Sequence, residues 1–179
     1  MLNGHKTFIR PIEEEDFDTF YQWYNDQDVN LWSSGAWPLN TLLSKDQLAE
    51  KISDQSEEYR YAITDLDNQL IGTIGFKEFD IPNRSASLFI VIGNKSFWGK
   101  GYGTDALITF ARFLFTQWNF HRLTLDTWDE NTRAIKAYEK AGFKIEGRQR
   151  EARFVLGYYH DAILMGLLRA EFYALHGKF

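Results

Sequence analysis

Residues Gly99 to Ala106 read Gly-Lys-Gly-Tyr-Gly-Thr-Asp-Ala, between the apolar run Ser87–Ile92 and a helical pattern. Because glycine has no side chain, three glycines at alternate positions let the backbone N–H groups of one turn approach a ligand closely. The N-terminus of the following helix adds partial positive charge. We call residues 98–104 the glycine loop and predict that it binds a phosphate or pyrophosphate.

Two phosphate-binding fingerprints are candidates for this loop. The Walker A fingerprint fails on spacing, because five residues rather than four separate Gly99 from the preceding glycine, and no hydroxyl residue follows the lysine. The dinucleotide fingerprint G-x-G-x-x-A fits Gly101, Gly103 and Ala106, and Asp126 follows 20 residues later. The fingerprint is too short to identify the ligand by itself, so other features of the chain are needed to distinguish a dinucleotide from another phosphate ligand.

Composition limits the class of protein. A chain of 179 residues is expected to form one domain, 1–179, with a sizeable core. The absence of cysteine excludes disulfides, a thiol nucleophile and cysteine-ligated zinc. No two histidines stand at ligand spacing, so we expect no metal site. The net charge of −5 argues against nucleic acid as a partner. Without a signal peptide or a long apolar run, we expect a cytoplasmic protein with no membrane partner.

The order of apolar patterns predicts a mixed, mostly antiparallel sheet of about seven strands with four helices. The predicted strands are 6–12, 60–65, 69–78, 85–93, 122–127, 143–151 and 158–168, and the predicted helices are 13–24, 44–54, 104–118 and 132–141. Residues 25–40 are predicted to form a loop. Four strands precede the glycine loop, whereas a doubly wound dinucleotide fold carries its fingerprint after the first strand. The order therefore argues against a dinucleotide.

A second motif lies downstream, where residues Glu130 to Phe143 read Glu-Asn-Thr-Arg-Ala-Ile-Lys-Ala-Tyr-Glu-Lys-Ala-Gly-Phe. This motif and the glycine loop resemble those of the GNAT family of N-acetyltransferases, especially its ribosomal-protein N-terminal acetyltransferases and spermidine acetyltransferases. In the family's Q/R-x-x-G-x-G/A loop the glycines correspond to Gly101 and Gly103, and Trp98 stands where Gln or Arg is usual. The resemblance covers nearly the whole chain. It implies the α/β (α+β) GNAT fold, with the fourth and fifth strands parallel and splayed apart.

The resemblance implies acetyl-CoA as the cofactor. The strand end Val91–Gly93 would pair with the pantetheine amides as an added strand does, and a backbone N–H near Ile92 would stabilise the oxyanion. Asn131 would either cap its helix or hydrogen-bond the cofactor. The predicted cofactor-binding residues are Val91, Ile92, Gly93, Trp98, Gly99, Lys100, Gly101, Tyr102, Gly103, Thr104, Asn131 and Ala134.

Tyr138 and Asp126 are the predicted catalytic residues. By resemblance, the phenol of Tyr138 would protonate or stabilise the leaving CoA thiolate as a general acid. Helical spacing alone would make Tyr138 a core aromatic. Asp126 would act by resemblance as a base through water, best with its pKa raised by burial. Its structural alternative is to face solvent or to bond His121 or Arg122. With no cysteine, we expect direct transfer in a ternary complex.

The resemblance places the acceptor pocket among the first two helices, their loop and the terminal hairpin. The predicted substrate residues are Trp32, Trp37, Glu78 and Tyr159. Aromatic side chains there would hold an amine by cation–π contact or belong to the core, and Glu78 is a second candidate base. The predicted function is acetyl transfer to a primary amine of a protein N-terminus or a polyamine-like molecule. The alternatives are a catalytically silent CoA-binding regulatory module and an NAD(P)-binding oxidoreductase. A homodimer is also expected from the resemblance.

Overall fold

The computed structural model describes residues 1–34, 44–53 and 58–178. Within these ranges the strands are β1 (Leu2–Asn3), β2 (Thr7–Arg10), β3 (Glu58–Asp65), β4 (Leu70–Asp80), β5 (Ser85–Ile92), β6 (Arg122–Trp128), β7 (Lys144–Val155) and β8 (Tyr158–Leu168). The helices are α1 (Phe17–Tyr24), α2 (Gln27–Ser34), α3 (Lys45–Ser53), α4 (Tyr102–Thr116), α5 (Thr132–Ala141) and α6 (Arg169–His176). The eight strands form one sheet in the order β1-β2-β3-β4-β5-β6-β8-β7.

The sheet opens between β5 and β6, its parallel pair. Their ladder spans three residue pairs, from Ser85 with Arg122 to Ser87 with Thr124. Beyond it, β5 remains paired with β4 as far as Ile92, and β6 remains paired with β8 to the end of the strand. The two strands therefore separate after Ser87 and leave a cleft between their second halves.

This topology confirms the predicted mixed sheet with a splayed parallel pair. The predicted fourth and fifth strands are β5 and β6, because the short edge strand Leu2–Asn3 adds one strand before them. The other neighbouring strands in the described sheet are antiparallel. The sheet is therefore not the doubly wound parallel sheet that a dinucleotide-binding fold requires.

The loop prediction for residues 25–40 is wrong over α2, and α6 was not predicted. Asn and Ser residues disfavour helix in α2, but tertiary contacts and a capping residue outweigh this propensity. The Asp26 carboxylate accepts hydrogen bonds from the N–H groups of Asp28 and Val29, which caps the helix. At the other end, Trp32 stacks on Trp128 of β6 with 5.3 Å between ring centroids.

Helix α4 packs on the sheet and places the glycine loop beside the cleft. Its predicted apolar face, Leu107, Phe110, Ala111 and Leu114, is fully buried, as expected. Phe110 lies among aromatic rings, 5.5 Å from Tyr61 and 6.0 Å from Phe113 between centroids. This packing anchors α4 on β3 and, through Phe76 at 6.3 Å from Phe110, on β4. At the start of α4, Gly103 lies beside Ile92 of β5.

Truncation of Phe110 tests the importance of this layer. We expect Phe110→Ala to lower the free energy of unfolding by about 3–5 kcal/mol, because it removes a buried ring and leaves a cavity. Phe154→Ala, at an exposed ring on β7, is the matched control and should change it by about 0.5 kcal/mol or less. Chemical denaturation measures both variants. Equal effects would show that α4 is not anchored through Phe110.

Candidate active site

The glycine loop follows β5 and leads directly into α4. Gly99 and Gly101 have φ angles of +72° and +87°, a left-handed conformation that residues other than glycine rarely adopt. Gly101 is the N-cap of α4 and provides no side-chain cap. Because glycine has no side chain, the N-cap residue does not bond the first N–H groups of α4. Free N–H groups at a helix N-terminus suit an anionic ligand.

The start of α4 is fixed from behind by the N-terminal segment. The Asp105 carboxylate accepts hydrogen bonds from the N–H groups of Lys6 and Thr7, at 2.9 and 3.0 Å, and from the Thr7 hydroxyl at 2.7 Å. The Lys6 ammonium also donates to the carbonyl of Lys100 at 3.1 Å. These bonds hold the glycine loop in place without using its ligand-facing N–H groups.

Trp98, the departure from the family pattern, connects the loop to β5 and α5. Its indole N–H donates to the Ile92 carbonyl at 2.6 Å. The Arg133 guanidinium lies 3.9 Å from the centroid of the Trp98 ring and 5.7 Å from that of Trp32. Burial lowers the pKa of Arg133. A cation thus lies between two indole rings at the edge of the loop.

Hydrogen bonding shows which backbone groups of β5 face the cleft. The Gly93 N–H donates to the Ile71 carbonyl of β4 at 3.0 Å. In an antiparallel ladder, successive residues direct their N–H and C=O groups to opposite edges. The peptide groups of Ile92 and Ile90 therefore point to the open edge, whereas those of Val91 and Gly93 point to β4. Of the former, the Ile92 carbonyl already accepts the Trp98 indole N–H.

A cavity of about 280 Å³, the loop cavity, lies between the end of β5, the glycine loop and α5. Nine predicted cofactor residues line it: Val91, Ile92, Trp98, Gly99, Gly101, Gly103, Thr104, Asn131 and Ala134. Gly93, Lys100 and Tyr102 are not among its lining residues. Gly93 packs against the Trp23 ring, and Tyr102 packs on Phe97.

Three basic residues of α5 that were not predicted as site residues also line the loop cavity. They are Arg133, Lys136 and Lys140. Their spacing of three and four residues places them on one face of the helix. This row of cations opposite the glycine loop favours a ligand with several negative charges. The helical spacing of the three basic residues in the sequence is enough to predict the row. In a chain of net charge −5, it is a local exception.

Asn131 acts as a helix cap in this structure. Its side-chain oxygen accepts from the Ala134 N–H at 3.3 Å, while its amide nitrogen donates to the Trp32 carbonyl at 2.9 Å and to the Thr127 hydroxyl at 3.1 Å. The structure thus shows the capping alternative. The same bonds tie α2, β6 and α5 together at the cavity wall.

A second cavity of about 270 Å³, the splay cavity, lies where β5 and β6 separate. It shares Ser33, Ile90, Val91 and Tyr138 with the loop cavity. Tyr138 is 8% exposed. Burial, with a smaller contribution from the charge of Asp126, raises the pKa of Tyr138 far above its usual range. The phenol is therefore a neutral hydrogen-bond donor where the two cavities meet.

Asp126 lines the splay cavity and faces solvent, which is one of its two structural alternatives, and it lacks the burial that would best suit a base. Its carboxylate is 40% exposed and forms an ion pair with Arg153 of β7. Neither predicted alternative partner bonds it, and Arg122 pairs with Glu146 instead. Arg153 was not predicted as a site residue, since it approaches Asp126 only through the pairing of β7, β8 and β6.

The predicted substrate residues lie in different places. Trp32 lines the loop cavity and Trp37 lies outside the described residues. Glu78 is 71% exposed, in the irregular part of β4, with a φ of +49°. Tyr159 is 68% exposed and packs on Phe154 at 5.1 Å. Neither Glu78 nor Tyr159 is among the described residues that line the two cavities.

Comparison with known proteins agrees with this geometry. The sequence profile of the family described as "Acetyltransferase (GNAT) domain" matches residues 6–144. The chain is 31% identical over 177 residues to the spermidine N(1)-acetyltransferase of Escherichia coli strain K12, covering 98% of this chain and 93% of the relative. It is 25% identical over 174 residues to the SPbeta prophage-derived N-acetyltransferase YokL of Bacillus subtilis, covering 97% and 96%.

A solved structure shows the same fold. The crystal structure of spermidine N-acetyltransferase from Vibrio cholerae, in complex with CoA and spermine, superimposes with a TM-score of 0.82 and 27% identity. The match covers 93% of this chain and 97% of that one.

The chain belongs to the GNAT acetyltransferase family. It is an N-acetyltransferase that uses acetyl-CoA and transfers the acetyl group to an amine. The predicted family, fold class, enzyme class and cofactor are thereby confirmed. Within the described ranges, no helix has both the length and the apolar composition needed to cross a bilayer.

Proposed function

We propose that acetyl transfer takes place at Tyr138, between acetyl-CoA in the loop cavity and a primary amine in the splay cavity. The observation that supports this most strongly is that the two cavities share Tyr138 together with Ile90 and Val91. A donor entering along the glycine loop and an acceptor entering from the β6 side would meet at this junction. Two adjoining cavities suit direct attack in a ternary complex.

The loop cavity fits the chemistry of CoA. The N–H groups of the glycine loop and the start of α4 would hold the pyrophosphate. The cations Arg133, Lys136 and Lys140 would neutralise phosphate charge on the opposite wall. The peptide group of Ile90 would pair with the pantetheine arm, since it faces the open edge of β5. When bound, acetyl-CoA supplies an acetyl thioester whose leaving group is a thiolate.

Tyr138 would donate a hydrogen bond to this thiolate as the bond between carbon and sulfur breaks. Its raised pKa keeps the hydroxyl protonated, so a donor is present at neutral pH. The backbone N–H of Ile92 would stabilise the oxyanion on the acetyl carbon. A new bond forms between the acceptor nitrogen and that carbon.

The acceptor nitrogen must lose a proton, and Asp126 would take it through water. Asp126 lines the splay cavity and is exposed enough for a water molecule to reach it. Its ion pair with Arg153 positions the carboxylate at the cavity. A weak base suffices for an amine that already loses its proton to solvent at alkaline pH.

A homodimer stays a prediction from the family resemblance.

Acetyl-CoA thiol release, measured with and without a panel of primary amines, tests the proposed function. We expect release that depends on the amine, with initial-rate lines that intersect when both substrates are varied. Parallel lines would indicate an acyl-enzyme instead. Binding of CoA without thiol release would favour the regulatory module, and binding of NADH in place of CoA would favour the oxidoreductase.

The pH dependence of kcat tests the protonation state of Tyr138. An unperturbed tyrosine has a pKa of about 10, and here the pKa is raised, so its hydroxyl stays protonated beyond that pH. We therefore expect kcat to rise or reach a plateau between about pH 7 and 10 as the amine loses its proton. A falling limb in this range, present in the wild type and missing from Tyr138→Phe, would contradict the assignment.

A further inference from the structure

The charges around the splay cavity are predominantly positive. Among its described lining residues, Lys77 and Arg153 are basic and Asp126 is acidic. Hydroxyl groups come from Ser33, Ser87 and Thr127. An acceptor in this cavity therefore meets two cations and one carboxylate.

Among the described lining residues, the one carboxylate already has a partner, whereas Lys77 is only weakly paired. Asp126 forms its ion pair with Arg153. The Lys77 ammonium is 3.5 Å from the Glu78 carboxylate, but Glu78 is 71% exposed and does not line the cavity. Exposed pairs of this kind contribute little and separate easily. Lys77 can therefore turn to a ligand.

The fold places Lys77 at the base of the splay. Lys77 of β4 lies directly across from Ser87 of β5. Ser87 with Thr124 is the last pair before β5 and β6 separate. Arg153 reaches the cavity from the other side, across β8. If the amine of an acceptor points to Tyr138, the rest of the acceptor would lie between the ammonium of Lys77 and the guanidinium of Arg153.

We propose that the acceptor carries an anionic group, a carboxylate or a phosphate, a few bonds from its primary amine. Lys77 would bind this anion with charge-assisted hydrogen bonds, and Arg153, which uses Nη2 on Asp126, would add its remaining N–H donors. A polyamine would bring a second ammonium close to Lys77, which is unfavourable, and the carboxylate of Asp126, the one acidic group among the described lining residues, is already paired with Arg153. This inference rests on the proposed function and narrows its acceptor class.

Matched acceptors of equal length test this inference. The pair 4-aminobutyrate and 1,4-diaminobutane differs in terminal charge, with butylamine as the neutral reference and spermidine as a longer polyamine. We expect kcat/KM for 4-aminobutyrate to exceed that for 1,4-diaminobutane by about tenfold or more. Peptides that begin Ala-Asp and Ala-Lys form a second arm, which distinguishes a protein N-terminus from a small molecule as the source of the anion.

Variants assign the preference to the two cations. In Lys77→Met and Arg153→Gln, we expect the ratio of kcat/KM for the acidic acceptor over the diamine to fall about tenfold or more. Arg153→Gln should also increase the use of the diamine, because it frees Asp126. Arg150→Gln is a matched control, on the same strand but outside the lining of the cavity. A purely structural effect would lower both rates and leave the ratio unchanged.

The possible outcomes separate this inference from the proposed function. A preference for 4-aminobutyrate or the Ala-Asp peptide that is lost in the two variants supports the inference. Faster turnover of spermidine or 1,4-diaminobutane by the wild type overturns it while leaving acetyl transfer to amines intact. An acidic preference unchanged in both variants also overturns it, since other groups then bind the anion. If acetyl-CoA binds and no primary amine in the panel is acetylated, the proposed function and the inference both fail.

Discussion

Replacement of Tyr138 by phenylalanine is expected to lower kcat about 10²–10⁴-fold, the range typical for loss of a positioned acid. The substitution removes only the hydroxyl that would donate to the leaving thiolate. The ring remains and continues to fill its buried site between the two cavities. Affinity for acetyl-CoA should therefore stay within about twofold of the wild type, since the pyrophosphate and pantetheine contacts are elsewhere.

Single-turnover rates and calorimetric titration with CoA measure the two quantities separately. Tyr158→Phe removes a hydroxyl from an exposed tyrosine at the start of β8 and serves as the control. It should leave both quantities unchanged. Unchanged turnover in Tyr138→Phe would remove Tyr138 from the acid role and leave it as a core aromatic.

Replacement of Gly103 by valine is expected to weaken acetyl-CoA binding about 10- to 100-fold. Gly103 lies in the first turn of α4 and lines the loop cavity. The side chain would separate the ligand from the N–H groups of this turn, and a hydrogen bond to a charged group contributes about 1.5–3 kcal/mol.

The same substitution should leave the fold intact, which makes the prediction specific. A Cβ added at Gly103 would lie 3.6 Å from a side-chain carbon of Ile92, an ordinary van der Waals contact. A helix also favours valine over glycine, so the free energy of unfolding should not fall. Gly147→Val on β7, where the nearest contact would be 3.7 Å, is the matched control away from both cavities. Equal CoA affinity in the two variants would contradict the placement of the pyrophosphate.

Local patterns are sufficient to predict the order of the strands along the chain, the position of the glycine loop and the buried face of α4. Alternating apolar residues identify strands, and helical spacing identifies the face that contains Phe110. Helix α2 could not be predicted from propensity, since it depends on a stacking contact between Trp32 and Trp128 of another element in addition to the Asp26 cap. Tertiary contacts of this kind override weak helix propensity.

The charges of the splay cavity also could not be predicted from the sequence. Arg153 meets Asp126 only because the register of β7 against β8 shifts between Gln149 and Arg153. Such an irregularity changes which side chains face a site, and local sequence rarely reveals it. The cations of α5 differ, since Arg133, Lys136 and Lys140 follow a helical spacing that can be read directly.

The charges that line the splay cavity therefore decide whether the acceptor of a relative can be assigned to this chain. The family establishes the donor and the reaction, and the relatives include spermidine N-acetyltransferases. The acceptor depends on the side chains that surround it. In this chain those described side chains include Lys77 and Arg153, which favour an anion over a second ammonium.

Mass spectrometry of the acceptor tests most directly whether the junction at Tyr138 transfers an acetyl group to a primary amine. The protein is incubated with acetyl-CoA and the amine panel, and CoA thiol is quantified in the same samples. We predict acetylated amine in an amount equal to the thiol released, and its near-complete loss in Tyr138→Phe. Thiol release without acetylated amine, or full product formation by Tyr138→Phe, would contradict acetyl transfer at this junction.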